Sequence, residues 1–163
     1  MKWHVFRTIS LLSLTLCLAI VACSRFAATD GLVNESDYNV NFRLRLHVDR
    51  DRLRANEPVT ATLSLTNIGK QAQAIESQGT PVLNLYIEDI VSHENYATWS
   101  VEHPDLVTHR LQLQPGESKT IQLTWILEPE DAFSGKTVSI NGLLYERSTP
   151  VKGLDVLLCV NSC

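Results

Sequence analysis

The sequence predicts an all-β domain, an antiparallel sandwich of short strands. Three observations predict it. From Phe42 onward, apolar and polar residues alternate with period two, as in strands with one buried and one wet face. Turn-forming clusters punctuate these runs: Asn56-Glu57-Pro58, Asn67-Ile68-Gly69-Lys70 and Gln114-Pro115-Gly116-Glu117. After residue 40, no stretch of ten residues keeps a 3.6-residue apolar repeat, and there is no internal repeat or low-complexity segment.

The elements follow in chain order. Phe42, Leu44, Leu46 and Val48 alternate with Arg43, Arg45, His47 and Asp49. Val59, Ala61, Leu63 and Leu65 alternate with Thr60, Thr62, Ser64 and Thr66. Gln71 to Ile75 reads as a short strand, followed by the polar loop Glu76-Ser77-Gln78-Gly79-Thr80-Pro81. Leu83, Leu85 and Ile87 alternate with Asn84, Tyr86 and Glu88, and Tyr96 to Trp99 reads as another strand. Arg110 to Leu113 leads into Pro115-Gly116, a pair suited to a type II turn because Pro presets φ and Gly takes positive φ. That turn is expected to join Arg110–Leu113 and Ser118–Leu127 as a hairpin, with Ile121, Leu123 and Trp125 inward. Asp131-Ala132-Phe133 reads as one helical turn, and Thr137–Tyr145 and Val151–Leu158 complete the strands.

The N-terminus has a different character. Met1 to Arg7 carries Lys2 and Arg7, and residues 9–22 are apolar and uncharged. A positive start, an apolar centre and a small residue before the break are the parts of an export signal. The run is short for a hydrocarbon core of ~30 Å, which needs about 20 residues, so a permanent membrane span is the weaker reading. Ile20-Val21-Ala22-Cys23 resembles the lipobox of bacterial lipoproteins, the alternative being an ordinary signal that happens to contain a cysteine. The resemblance implies cleavage before Cys23, a diacylglyceryl thioether on its sulfur and acylation of its new amine with a chain such as palmitate. Two or more chains give stable attachment. Ser24 after the cysteine resembles an outer-membrane destination in organisms with two membranes. The expected organisation is a signal over 1–22, a lipidated N-terminus and flexible tether over 23–40, and the sandwich over 41–163.

Composition narrows the function. The chain has 163 residues, 44% hydrophobic, with 18 acidic and 14 basic side chains. Lys2 and Arg7 lie in the signal, so 18 acids face 12 bases in the remainder, a net charge of −6. This argues against nucleic-acid binding and against a polybasic membrane surface. Cys17 falls in the signal and Cys23 takes the lipid, leaving Cys159 and Cys163. An even pair in an exported chain suggests a disulfide. Extended backbone would hold these Cα atoms ~13 Å apart, whereas a bridge needs about 7 Å, so Val160-Asn161-Ser162 would have to turn. The small loop would contribute about 2 kcal/mol.

From Phe42 to Trp125 the chain resembles the bacterial intracellular proteinase inhibitor domain. The matching pieces are Leu63-Ser64-Leu65-Thr66-Asn67, Ser77-Gln78-Gly79, Leu83 to Asp89, Trp99-Ser100, and Leu113-Gln114-Pro115-Gly116-Glu117-Ser118 followed by Trp125. The resemblance implies an immunoglobulin-like sandwich. It carries no reactive-site residue onto this chain.

The sequence carries no assembled catalytic set, cofactor motif or metal motif. His93-Glu94 lacks the second histidine of H-E-x-x-H, with Ala97 in its place. His103 and His109, with Glu102 and Asp105, make an imaginable metal site, but Pro104 interrupts any strand there. Glu88-Asp89 and Glu130-Asp131 read as loop or strand-end charges. Trp99 and Trp125 read as core residues, with exposed binding anchors as the alternative, and Arg43, Arg45 and Arg54 as a solvated strand face, with a basic patch as the alternative. The leading expectation is a lipid-anchored, non-enzymatic interaction or assembly module. It would face outside the cytoplasm, its partner another envelope or extracellular protein, a protease included. The alternatives are a proteinase inhibitor presenting Glu76–Pro81 or Ser92–Pro104, and a metal-binding protein or enzyme.

Overall fold

Strands with one apolar face bury it by stacking two sheets. The computed structural model describes residues 31–132 and 135–161. One sheet contains β1 (Leu32–Tyr38), β2 (Phe42–Val48), β4 (Pro58–Asn67) and β9 (Ser118–Ile126), in the order β1-β2-β4-β9, all antiparallel. The other contains β3 (Arg52–Leu53), β6 (Leu83–Asp89), β7 (Asn95–Thr98), β10 (Thr137–Glu146) and β11 (Thr149–Val160), in the order β3-β11-β10-β6-β7. Its pairs are antiparallel except β3 with β11. A two-stranded ladder joins β5 (Gln73–Glu76) to β8 (Arg110–Leu113). The helix α1 (Trp99–Glu102) is a single turn. The fold is the expected all-β sandwich.

Leu44, Leu46, Leu63, Leu65 and Leu123 of the first sheet and Leu85, Ile87, Ile140, Leu144 and Leu158 of the second are fully buried. Each contributes about 1.5–3 kcal/mol by leaving water. Gly142 lets the sheets approach, since a Cβ there would lie 2.6 Å from Leu63 Cδ1. The outer face of the first sheet is polar. Thr60, Ser64 and Thr66 hydrogen-bond across to Thr124, Thr120 and Ser118 at 3.2, 3.0 and 2.7 Å. On the same face Arg43 pairs with Asp37 at 2.8 Å and Glu35 at 3.4 Å.

Three expectations differ from the structure. Residues 32–38 are not tether but an edge strand, paired with β2 along Leu32↔Val48 to Tyr38↔Phe42. The domain therefore begins near Leu32, not Asn41. The inward positions of β1 include Asn34 and Ser36, so apolar alternation is weak there. Hydrogen bonds supply part of the docking: Asn34 Nδ2 donates to the Asp155 carbonyl at 2.9 Å, and Tyr38 Oη to Glu146 Oε2 at 2.7 Å. The second correction concerns Pro115-Gly116. The turn exists, with Gly116 at φ +78° and Glu117 N donating to Gln114 O at 2.9 Å. It does not make a hairpin, because β8 pairs with β5 and β9 with β4. A turn fixes a local reversal but leaves open which sheet receives the next strand. The helical turn expected at Asp131–Phe133 is a 3₁₀ turn at Pro129–Asp131, while Phe133 lies outside the described residues.

Candidate functional site

The two ends of the sandwich are built differently. One end carries Leu32, Val48, Ile126, Asp89, Thr137 and Cys159, as the registers Leu32↔Val48, Pro58↔Ile126, Val138↔Asp89 and Thr137↔Cys159 place them. Here a polar cluster fastens the ends of β6, β7 and β10, neighbours in the second sheet, to one another and to the connection between β9 and β10. Lys136 is buried, with Nζ 3.2 Å from Asp131 Oδ1, 3.6 Å from Asp89 Oδ2 and 4.8 Å from the Tyr96 ring centre. Tyr96 Oη donates to Asp89 Oδ2 at 3.4 Å, and its ring stacks on Trp125 with centroids 5.2 Å apart. That stack links β7 to β9, hence one sheet to the other.

Asp89 also organises the turn that follows it. Its Oδ1 accepts the N–H of Val91 at 2.7 Å and of Ser92 at 2.9 Å. His93 N donates to Asp89 O at 3.0 Å, and Glu94 N to Ser92 Oγ at 3.3 Å. The Ser92 N–H foremost, then the Val91 N–H and the Lys136 ammonium, hold the Asp89 carboxyl below its ordinary range against burial. Burial opposes the charge on Lys136, but hydrogen bonds to Tyr96 and Asp131 outweigh it, so its pKa is raised. Both groups are therefore held charged, suiting them to fastening rather than to proton transfer.

The other end is knit by Asn67, which is fully buried. Its Nδ2 donates to Gln71 O at 2.8 Å and Leu113 O at 2.9 Å, and its Oδ1 accepts from Gly69 N at 2.9 Å. Its backbone N donates to Glu117 O at 2.9 Å, and its carbonyl accepts from Gly116 N at 2.8 Å. The loop Glu76–Pro81 lies toward this end and is tied down. Ser77 N donates to His109 O at 2.8 Å, Gln78 N to Arg147 O, and Arg147 N to Glu76 O at 2.7 Å. Ser77 is buried, Ser77 Oγ donates to Thr80 O, and Gly79 takes φ +76°. Exposed Arg147 adopts φ +58°, a left-handed conformation costing about 1–3 kcal/mol.

The other residues singled out in the sequence fall apart as a site. His103 Nδ1 meets Trp99 O at 3.2 Å, and His109 Nδ1 meets Thr80 O at 2.7 Å, each occupied by a carbonyl. Among the described residues, no group of three or more His, Cys, Asp or Glu side chains is arranged to hold a metal. Trp99 is buried, while Trp125 is half-buried against the core. Cys159 is disulfide-bonded, and Cys163 lies outside the described residues, as does Cys23. No described helix is long and apolar enough to cross a membrane. Sequence reading missed the Asp89–Tyr96–Lys136 clasp. Asp89 carried the signal of an acid opening a turn; nothing marks Lys136 before the fold brings it there.

No family model matches the chain, and no curated protein matches it. Solved structures resemble it only distantly. The C-terminal domain of Wzt aligns over 80% of this chain and 79% of its own, at 8% identity and TM-score 0.45. A cycloisomaltooligosaccharide glucanotransferase from Paenibacillus aligns over 71% of this chain at 16% identity and TM-score 0.44. The sporulation control protein Spo0M from Bacillus subtilis aligns over 73% at 17% identity and TM-score 0.43. The chain spans 13% of the glucanotransferase and 49% of Spo0M. None of the three is named as a proteinase inhibitor, and no activity is carried over from them.

Proposed function

We propose that this chain is an extracytoplasmic lipoprotein, anchored to a membrane through Cys23, whose sandwich acts as a non-catalytic protein-interaction or assembly module. The observation that carries the reading is Ile20-Val21-Ala22-Cys23 closing an uncharged apolar run. Nine residues beyond that cysteine the first strand begins at Leu32, so anchor and domain are close neighbours. The charged groups of the clasp are spent on fastening strand ends and the connection between β9 and β10, which fits a binding module better than a catalyst. The partner is another protein of the envelope or beyond it.

The test is labelling of growing cells with a palmitate analogue, followed by membrane fractionation. The parent protein should carry the label and sediment with membranes. Cys23→Ala should lose the label and either appear in the soluble fraction or persist as uncleaved precursor. Equal labelling and retention of the two would contradict the anchor. A stoichiometric partner cross-linked in the native envelope, with no substrate turned over, is the expected sign of the module's role.

A further inference from the structure

We propose that the turn carrying Ile90 and Val91 is a second membrane contact, its apolar tip resting in the interface of a zwitterionic bilayer. The proposal rests on the Cys23 anchor just described. It starts from where the chain enters the domain. At Gly31 the backbone runs so close to the end of β2 that a Cβ would lie 1.9 Å from Val48 O. The entry point is thus fixed at the end of the sandwich that also bears Asp89. Cys23 is nine residue steps from Leu32, a reach of at most ~32 Å at about 3.5 Å per residue. The opposite end lies about 30 Å further away, the length of a strand such as β4. On such a leash the Leu32 end is the one that faces lipid.

At that end the Asp89 turn displays Ile90, 39% exposed, and Val91, 84% exposed. The turn is built for a place short of water. The N–H groups of Val91, Ser92, His93 and Glu94 all have acceptors inside the turn, and Ile90 N reaches Thr137 O at 3.3 Å. Satisfied backbone donors lower the cost of leaving water at the interface, where the turn's carbonyls can still meet water and headgroups. Lys136 and Tyr96, fastened to Asp89, brace the turn from behind. Exposed acids outnumber exposed bases at this end, Asp51, Glu57, Glu94, Glu128 and Glu130 standing against Arg52 and Arg54. They set the lipid preference: neutral headgroups are accepted, and an anionic surface repels.

The experiment compares two valines of equal exposure at opposite ends, Val91 and Val40, the latter 83% exposed in the turn between β1 and β2. Both side chains lie outside the core, so Val91→Trp and Val40→Trp leave it intact. Each full-length, lipidated variant is reconstituted into phosphatidylcholine vesicles with brominated acyl chains, and fluorescence is read against the parent, which supplies the signal of its own tryptophans. The added tryptophan of Val91→Trp should shift to the blue and be quenched, that of Val40→Trp should do neither, and anionic lipid should reverse the Val91→Trp quenching at low salt. Protein that floats with the vesicles while Val91→Trp stays unquenched, or while both variants are quenched alike, overturns the contact but leaves the anchor standing. Protein that does not float overturns the anchor, and this contact with it.

Discussion

Asn67 shows how much one side chain can decide. Its amide binds the N–H of Gly69 and the carbonyl of Gln71 in the turn after β4, and the carbonyl of Leu113 at the end of β8. Asn67→Ala should lower stability by about 2–4 kcal/mol, because buried groups lose their partners; urea unfolding measures it. Gly116→Val is expected to cost more than ~1 kcal/mol, although nothing lies within 4 Å of its Cβ position, because φ is +78°. An unchanged urea midpoint would contradict that conformation. Asp89 makes a prediction in pH. Its folded pKa is lowered, so its contribution is present above the unfolded value of about 3.9 and fades as pH falls through the folded one. Lys136 is raised; its contribution is present below about 10.4 and fades as pH climbs through the folded value. Asp89→Ala should therefore destabilise the domain by about 2–4 kcal/mol near neutrality, and the gap from parent should narrow in acid. A gap that stays constant in urea titrations from pH 7 downward would show that the charge does not matter.

Among the elements, β1 is the most informative. Truncation to Asn41 should cost at least about 2 kcal/mol, since it removes the packing of Leu32 and Tyr38 and the bonds to Asp155 and Glu146. Unfolding midpoints of chains starting at Gly31 and at Asn41 would measure it. The strand was illegible in sequence for a physical reason. Period-two reading detects burial of apolar side chains, and β1 places Asn34 and Ser36 among its inward residues. Strands β2, β4, β6 and β9 were legible because Leu44, Leu63, Leu85 and Leu123 mark buried faces cleanly. The Pro115-Gly116 turn was legible too, since only backbone conformation was at issue. Its flanking partners were not. Leu111 and Leu113 of β8 fit many buried neighbours, and nothing local selects Ile75 in β5 over Ile121 in β9.

For the molecule as a whole, the two sheets approach closely at Gly142. Gly142→Val should cost more than about 1–3 kcal/mol, the usual range for overpacking, because even a Cβ meets Leu63 at 2.6 Å. Denaturant midpoints of Gly142→Ala and Gly142→Val should fall in that order. The candidate site was less legible than the fold. Asp89, Tyr96, Asp131 and Lys136 come from separate segments, and no spacing rule joins residues that meet only when β6, β7 and β10 pair side by side. The placement of β1 has a mechanical consequence. A pull transmitted through Gly31, away from the Leu32 end, runs along the axis of β1, while the seven residue pairs from Leu32↔Val48 to Tyr38↔Phe42 lie across it. The ladder is then loaded in shear, all rungs at once, rather than peeled one rung at a time. A domain hung from a surface by this strand would resist drag and tugging far better than the same fold suspended from a hairpin tip.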